Sequence, residues 1–258
     1  MDTTIEVRGV AAPAVGLGTW QMTGRACIEA VSDALGLGYR HIDTARYYGN
    51  EREVGEGIRA SEVPRDDVFL VTKVPPSDAA PDDLRASCEA SLADLRVDAV
   101  DLLLLHWPAP RVALADTLGA MTELRDERRI AHIGVSNFPR ALLEEALELA
   151  PDVLNDQVEL HPYLHQDELL ELARDRDVLV TAYSPMDRGR VARDPTLQEI
   201  GDAHDKSPGQ VALRWLLDHP KTCVIPKASS HERRVENLDV FDFELSDEER
   251  AQIAALAS

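Results

Sequence analysis

The run Val100-Asp-Leu-Leu-Leu-Leu-His106 is followed by Leu114, Leu118 and Met121 at helical spacing, and then by Ala131-His-Ile-Gly-Val-Ser136. An unbroken apolar run, as opposed to strict alternation, is what a strand buried on both faces of a parallel sheet looks like. The stripe between the runs puts three apolar side chains on one helix face, which would cover such a sheet. Strand, helix and strand over this length make one βαβ unit.

The same pattern extends in both directions. Apolar runs at 14–18, 40–44, 68–74, 153–160, 178–183 and 222–226 bring the candidate strands to eight. Helical stripes lie between them: Ile28, Val31 and Leu35; Leu84, Cys88, Leu92 and Leu95; Leu169, Leu170 and Ala173. Ser207-Pro208 opens a helix carrying Val211, Leu213, Trp215 and Leu216, and Ser246 with Glu249 reads as a capping box for the last helix. No Gly/Ser-rich linker interrupts the alternation. The expectation is an α/β protein, one single-domain (β/α)8 TIM barrel over residues 1–258. An open doubly wound sheet is the rival, but Gly16-Leu17-Gly18 runs on into Thr19-Trp20-Gln21 without the G-x-G-x-x-G that binds dinucleotides in that fold.

Composition narrows the partners. Lys and Arg number 27 against 47 Asp and Glu, a formal charge of −20 that repels nucleic acid and anionic membranes. The lysines are Lys73, Lys206, Lys221 and Lys227, so a lysine within a motif carries weight. An acidic, lysine-poor surface suits a salt-rich cytoplasm; an arginine-favouring genome is the other reading. Cys27, Cys88 and Cys223 are odd in number and lack metal or disulfide spacing. Asp2, Glu6 and Arg8 stand where a secretory signal would be apolar, and no run approaches bilayer length, so the expectation is a cytoplasmic protein without membrane partners.

A barrel builds its active site at the carboxyl ends of its strands. Those ends, or the loops just beyond them, carry Asp43, Tyr48, Lys73, His106, Ser136, Asn137, Gln157, Tyr183 and Lys227. Asp, Tyr, Lys and His together suit carbonyl reduction. A carbonyl takes hydride at carbon and a proton at oxygen, and a phenol of ordinary pKa about 10 is a weak acid unless a neighbouring ammonium lowers it. Asp43 would hold Lys73, and His106 would hydrogen-bond the substrate oxygen. Singly, each has a structural explanation: a loop cap, a rim aromatic, a satisfied core histidine.

The segments 38–51 (GYRHIDTARYYGNE), Thr72-Lys73, Leu104-Leu-His-Trp-Pro108, Gly134-Val-Ser-Asn-Phe138, Gln157-Val-Glu-Leu-His-Pro-Tyr163, Ala182-Tyr-Ser-Pro185 and Ile225-Pro-Lys227 together resemble the aldo-keto reductases. The likeness runs nearly end to end and is strongest to short prokaryotic members of the 2,5-diketo-D-gluconic acid reductase type. It implies NADPH (NADP+), in preference to NADH, held across the barrel mouth. It implies Tyr48 as proton donor, Asp43 and Lys73 as its tuning pair and His106 as orienting residue. By the same resemblance Ser136, Asn137 and Gln157 hold the nicotinamide carboxamide, Tyr183 stacks on the ring, and Gly18 and Thr19 lie near its ribose. Lys227 and Arg233 take the adenosine 2′-phosphate, with Ser230 and Asn237 nearby, although Ala228 replaces a serine common there. Trp20, Tyr48, His106 and Trp107 line the substrate pocket.

Pro75, where larger relatives often carry Trp, and Asp156, where they carry Asn, imply a thinner pocket wall; the short loop after Pro108 and the end of the chain at Ser258 imply an open mouth. The expected partner is a small carbonyl compound, the expected state a monomer. Two other classes remain open: a nicotinamide-nucleotide sensor or accessory subunit on the same fold, and a metal-dependent hydrolase using Asp43, His106 and His161. His161 and His165 have H-x-x-x-H spacing, but Pro162 between them argues against a metal-binding helix, and no metal is expected. Trp215 reads as helix packing, and Arg125, Arg128 and Arg129 as a solvated helix end.

Overall fold

The computed structural model describes residues 3–257. It opens with an antiparallel hairpin, β1 (Thr4–Val7) and β2 (Val10–Pro13). Eight strands follow: β3 (Leu17–Gly18), β4 (His41–Asp43), β5 (Phe69–Val74), β6 (Val100–Leu105), β7 (Ile130–Ser136), β8 (Asn155–Glu159), β9 (Leu179–Tyr183) and β10 (Thr222–Val224). They pair in parallel in chain order, β3 to β10.

The sheet closes on itself. Val15 bridges Val224, Gly16 N–H donates to Val224 O at 2.8 Å, and Val224 N–H donates to Ala14 O at 2.9 Å. A Cβ on Gly18 would stand 2.7 Å from Ile225 O, so only glycine lets the first and last strands approach this closely. The single-barrel architecture expected from the eight apolar runs is therefore the one observed.

The connecting helices are α1 (Gly24–Leu37), α2 (Glu51–Ala60), α3 (Pro81–Leu95), α4 (Leu114–Asp126), α5 (Arg140–Leu149), α6 (Asp167–Arg176), α7 (Pro195–His204), α8 (Pro208–Leu217), α9 (His231–Leu238) and α10 (Asp247–Ala254). That is two more, among the described residues, than eightfold alternation needs: α7 is inserted between β9 and α8, and α10 follows α9. Capping boxes open α8 at Ser207 with Gln210 and α10 at Ser246 with Glu249. The apolar stripes read from the sequence face the strands: Val31, Leu35, Leu84, Leu92, Leu118 and Met121 are all buried in the main core. Trp215 is buried there too, at a packing position. Inside the barrel, Val71, Leu102 and Leu104 form a separate cluster. The two-residue period of a strand puts Lys73 on the same inward face as Val71, one layer nearer the carboxyl end.

The hairpin went unanticipated. Its turn, Arg8-Gly9, has left-handed φ of 50° and 79°, and Val7 and Ala12 pack with Leu154, Leu179 and Cys223 to close the amino end of the barrel. The run at 14–18 is shorter as a strand than expected: β3 is Leu17–Gly18, and Val15 is joined to β10 by an isolated bridge.

Candidate active site

The loop after β4 is built to hold one phenol. Ala45 O accepts from Tyr48 N–H at 3.0 Å, and Gly49 ends the turn at φ 67°. Asn50 pins that loop from below: its Nδ2 donates to Thr19 O and Met22 O, both at 2.9 Å, and its Oδ1 accepts from Thr44 Oγ1. Glu51, itself buried, accepts from Thr72 Oγ1 at 2.6 Å. Asn50 and Glu51 stood in the quoted motif with no role assigned, and the structure makes them the supports of Tyr48.

Beneath the phenol, Lys73 Nζ donates to Asp43 Oδ1 at 2.6 Å, to Thr44 O at 2.8 Å and to Tyr48 Oη at 3.4 Å, with Lys73 wholly buried. Burial alone would push the ammonium down, but Asp43 and Tyr48 outweigh it and hold Lys73 above its ordinary value. The other carboxylate oxygen of Asp43 accepts from Gln157 Nε2 at 2.7 Å. Gln157 therefore braces the ion pair across the barrel, and its side-chain oxygen has no protein partner among the described residues.

Tyr48 differs from the sequence expectation. Burial raises the phenol more than Lys73 lowers it, and Asp43 raises it further, so the net direction is upward. The ammonium acts as expected in sign; the dry pocket, which no motif displays, prevails. The ring of His106 lies edge-on to Tyr48, centroids 5.7 Å apart. Burial, helped by the Lys73 charge, pushes this imidazole down to about 4, so it is neutral at physiological pH and one ring nitrogen can donate.

On the opposite wall Asn137, in a left-handed turn at φ 62°, ties three strands together. Its Nδ2 donates to His106 O at 3.1 Å and Ser136 Oγ at 3.0 Å, and its Oδ1 accepts from Tyr183 Oη at 2.8 Å. Ser136 Oγ donates to Gln157 O at 2.8 Å. The Tyr183 ring is thereby held at a fixed tilt over the cavity.

That cavity, about 630 Å³, is lined by Gly18, Trp20, Asp43, Tyr48, His106, Trp107, Ser136, Asn137, Gln157, Tyr183 and Lys227, all singled out beforehand, and by Tyr47, Pro75, Pro76, Glu159, Ser184, Arg188 and Ile225. Trp20, Tyr47 and Trp107 are its exposed aromatic surfaces. Arg188 has no sequence signal beyond lying in a loop and Tyr47 stands in the 38–51 motif without a role, whereas Glu159 follows Gln157 by two residues and the strand period places both on one face. Thr19 does not line the cavity: it is buried, and its hydroxyl donates to Asp43 O at 2.9 Å. Asp156 lies wholly buried outside the wall, so its thinning effect is not found; Pro75 does line the cavity.

A second cavity of about 760 Å³ shares Trp20, Ser184, Arg188 and Lys227 with the first and continues to Arg233, Glu236 and Asn237 on α9. Lys73, Lys206 and Lys221 are each salt-bridged, whereas Lys227 and Arg233 have no carboxylate partner among the described residues. Two open cations on one groove, in so acidic a chain, can take a dianion. Ser230 caps α9, its Oγ accepting from Arg233 N–H at 3.4 Å. His161 and His165 diverge: one lies 3.8 Å from Glu159, the other packs on Trp215.

Known proteins resemble this chain along nearly its whole length. The family model described as the aldo/keto reductase family matches residues 14–258. An aldo-keto reductase of Mycolicibacterium smegmatis is 44% identical over 252 residues, 96% of this chain and 90% of the relative. The glyoxal reductase of Bacillus subtilis is 40% identical over 99% of this chain and 92% of its own. Among solved structures, the aldose reductase from Schistosoma japonicum superposes with a TM-score of 0.94 at 34% identity, covering 100% of this chain and 93% of that one.

Proposed function

This chain belongs to the aldo/keto reductase family of oxidoreductases, and from that premise we propose that it reduces aldehydes and reactive ketones to alcohols with NADPH, small α-dicarbonyls and sugar-derived carbonyls being the favoured substrates. The observation that carries the reading is the wholly buried Lys73 ammonium standing between Asp43 and Tyr48 at the foot of an open cavity.

The residues present fit the cofactor. The two cavities share four lining residues and so adjoin: the anchored Tyr183 ring lines the first and offers a stacking face, Arg233 lines the second, and Lys227 lines both, so that two open cations for a 2′-phosphate stand beyond that ring. Ser136, Asn137 and Gln157 would hold the carboxamide. When bound, NADPH supplies hydride to the carbonyl carbon.

The chain's own part is the proton. Neutral His106 donates a hydrogen bond to the carbonyl oxygen and sets its lone pair toward Tyr48. Tyr48 Oη gives its proton to that oxygen as the carbon is reduced, and the phenolate left behind is stabilised by Lys73. Asp43, braced by Gln157, keeps the ammonium charged and in place. Solvent returns the proton to Tyr48 through the open mouth after the alcohol leaves.

We further infer a monomeric, cytoplasmic enzyme whose acidic surface suits concentrated salt; no helix among the described residues is long and apolar enough to cross a membrane. The test is oxidation of NADPH, followed by absorbance, across α-dicarbonyls, sugars and aromatic aldehydes. Turnover with the dicarbonyls at least equal to the rest supports the reading. Tight NADPH binding with no turnover on any carbonyl would instead support a nucleotide sensor.

A further inference from the structure

Asp156 sits on β8 beside Gln157, with no exposure to solvent. Its Oδ1 accepts from the backbone N–H of Phe138 at 3.4 Å, and its Oδ2 has no partner among the described residues. Phe138 directly follows Asn137, whose side chain ties His106 O, Ser136 Oγ and the Tyr183 hydroxyl together. No other acceptor meets the Phe138 N–H among the described residues.

We infer that Asp156 is a positioning residue: through the Phe138 amide it fixes the left-handed turn at Asn137, and through Asn137 the tilt of the Tyr183 ring. The inference rests on the reading of Asn137 and Tyr183 as the dinucleotide side of the site. A buried N–H left without its acceptor costs free energy, so an apolar residue at 156 would let this turn move toward water.

The dry surroundings keep this acid neutral, although its oxygen can accept from Phe138 in either protonation state. A carboxylate in a dry site without a cation is strongly disfavoured, and burial pushes Asp156 up to about 8, opposed only by the Phe138 amide. On β9, burial raises the Tyr183 phenol most, and the Asp156 carboxyl adds to it in a small way. Among the charged side chains of the flanking helices, Arg140 on α5 pairs with Glu144 on the same helix and with Glu171 on α6, and Arg174 pairs with Asp175 on α6, all at the surface. Ionisation therefore puts a charge behind the site that one amide bond does not compensate, and the water it draws in around Asp156 and Phe138 loosens the turn.

The test measures NADPH and NADH binding, by quenching of tryptophan fluorescence, for the wild type, Asp156→Asn and Asp156→Ala, from neutral pH to well above about 8. Asparagine keeps the acceptor and cannot ionise. We expect wild-type affinity to fall by about 3- to 10-fold on the alkaline side, Asp156→Asn to stay flat at the wild-type neutral value, and Asp156→Ala to be weakened by a similar factor at every pH. Both nucleotides should respond alike, because the contact concerns the ring and not the 2′-phosphate. Thermal denaturation gives a second readout. The native-state pKa is raised, so wild-type stability is lost as pH rises toward about 8, and the Tm advantage of Asp156→Asn should grow through that range and level off beyond it. If Asp156→Asn retains the alkaline loss, or Asp156→Ala binds like wild type while only its Tm falls, the inference is overturned and the functional reading stands. A wild type that binds neither nucleotide overturns both.

Discussion

The Lys73 ammonium donates to the Asp43 carboxylate at 2.6 Å, and solvent reaches neither side chain to any useful extent. In a barrel interior such a pair is weak evidence for stability: desolvating two charges offsets most of their attraction, and an apolar pair of similar volume could match it. Its retention is explained by the phenol it serves. The third contact of Nζ, to Tyr48 Oη, is long to the neutral phenol and gains strength when that oxygen carries negative charge.

Removing one partner should be costly. Lys73→Met leaves Asp43 buried without its cation, and a loss of about 3–5 kcal/mol in stability is expected, measured by denaturant unfolding. Adding Asp43→Asn to Lys73→Met should restore part of that stability but none of the activity, because the neutral pair no longer favours the phenolate. Recovery of activity by the double variant would contradict this.

Lys227 should discriminate between nucleotides. Lys227→Ala is expected to weaken NADPH binding by about 10- to 100-fold, the value of a charge-assisted contact, with NADH changed by less than about threefold. Titration of both by fluorescence decides, and equal losses would mean that the cation meets a part common to the two.

Acid should act through His106. Its native pKa is lowered to about 4, so the unfolded chain takes up this proton first, and stability is lost as pH falls from the ordinary histidine value toward about 4. His106→Gln should lose less stability over that interval. A wild type and variant with identical acid unfolding curves would show that His106 is not held neutral.

Salt should help more than it harms. With a formal charge of −20, screening relieves self-repulsion, and activity in molar potassium chloride should equal or exceed that in dilute buffer. A steep loss in salt, with Tm unchanged, would mean that electrostatic capture of NADPH outweighs surface repulsion.

Much of this was legible along the chain, for physical reasons that differ between elements. Continuous apolar runs marked the barrel strands because both faces of each are covered, and Lys73 stood out because an acidic chain with few lysines places one inside such a run. The plug hairpin was missed because its strands are four residues long and its only loud signal is Arg8-Gly9. The motif displays the neighbours of Tyr48 but not its net shift, since burial is a property of the closed barrel. The resemblance implies a place for Asp156 in the pocket wall, whereas the strand period that turns Gln157 inward turns its neighbour outward.

The most direct test of the central claim is Tyr48→Phe. Without the hydroxyl, carbonyl reduction should fall by about 100-fold or more, while NADPH affinity, read by fluorescence, stays within about twofold of wild type. A Tyr48→Phe enzyme that binds NADPH and reduces α-dicarbonyls at the wild-type rate would contradict it, because the proton would then come from somewhere else.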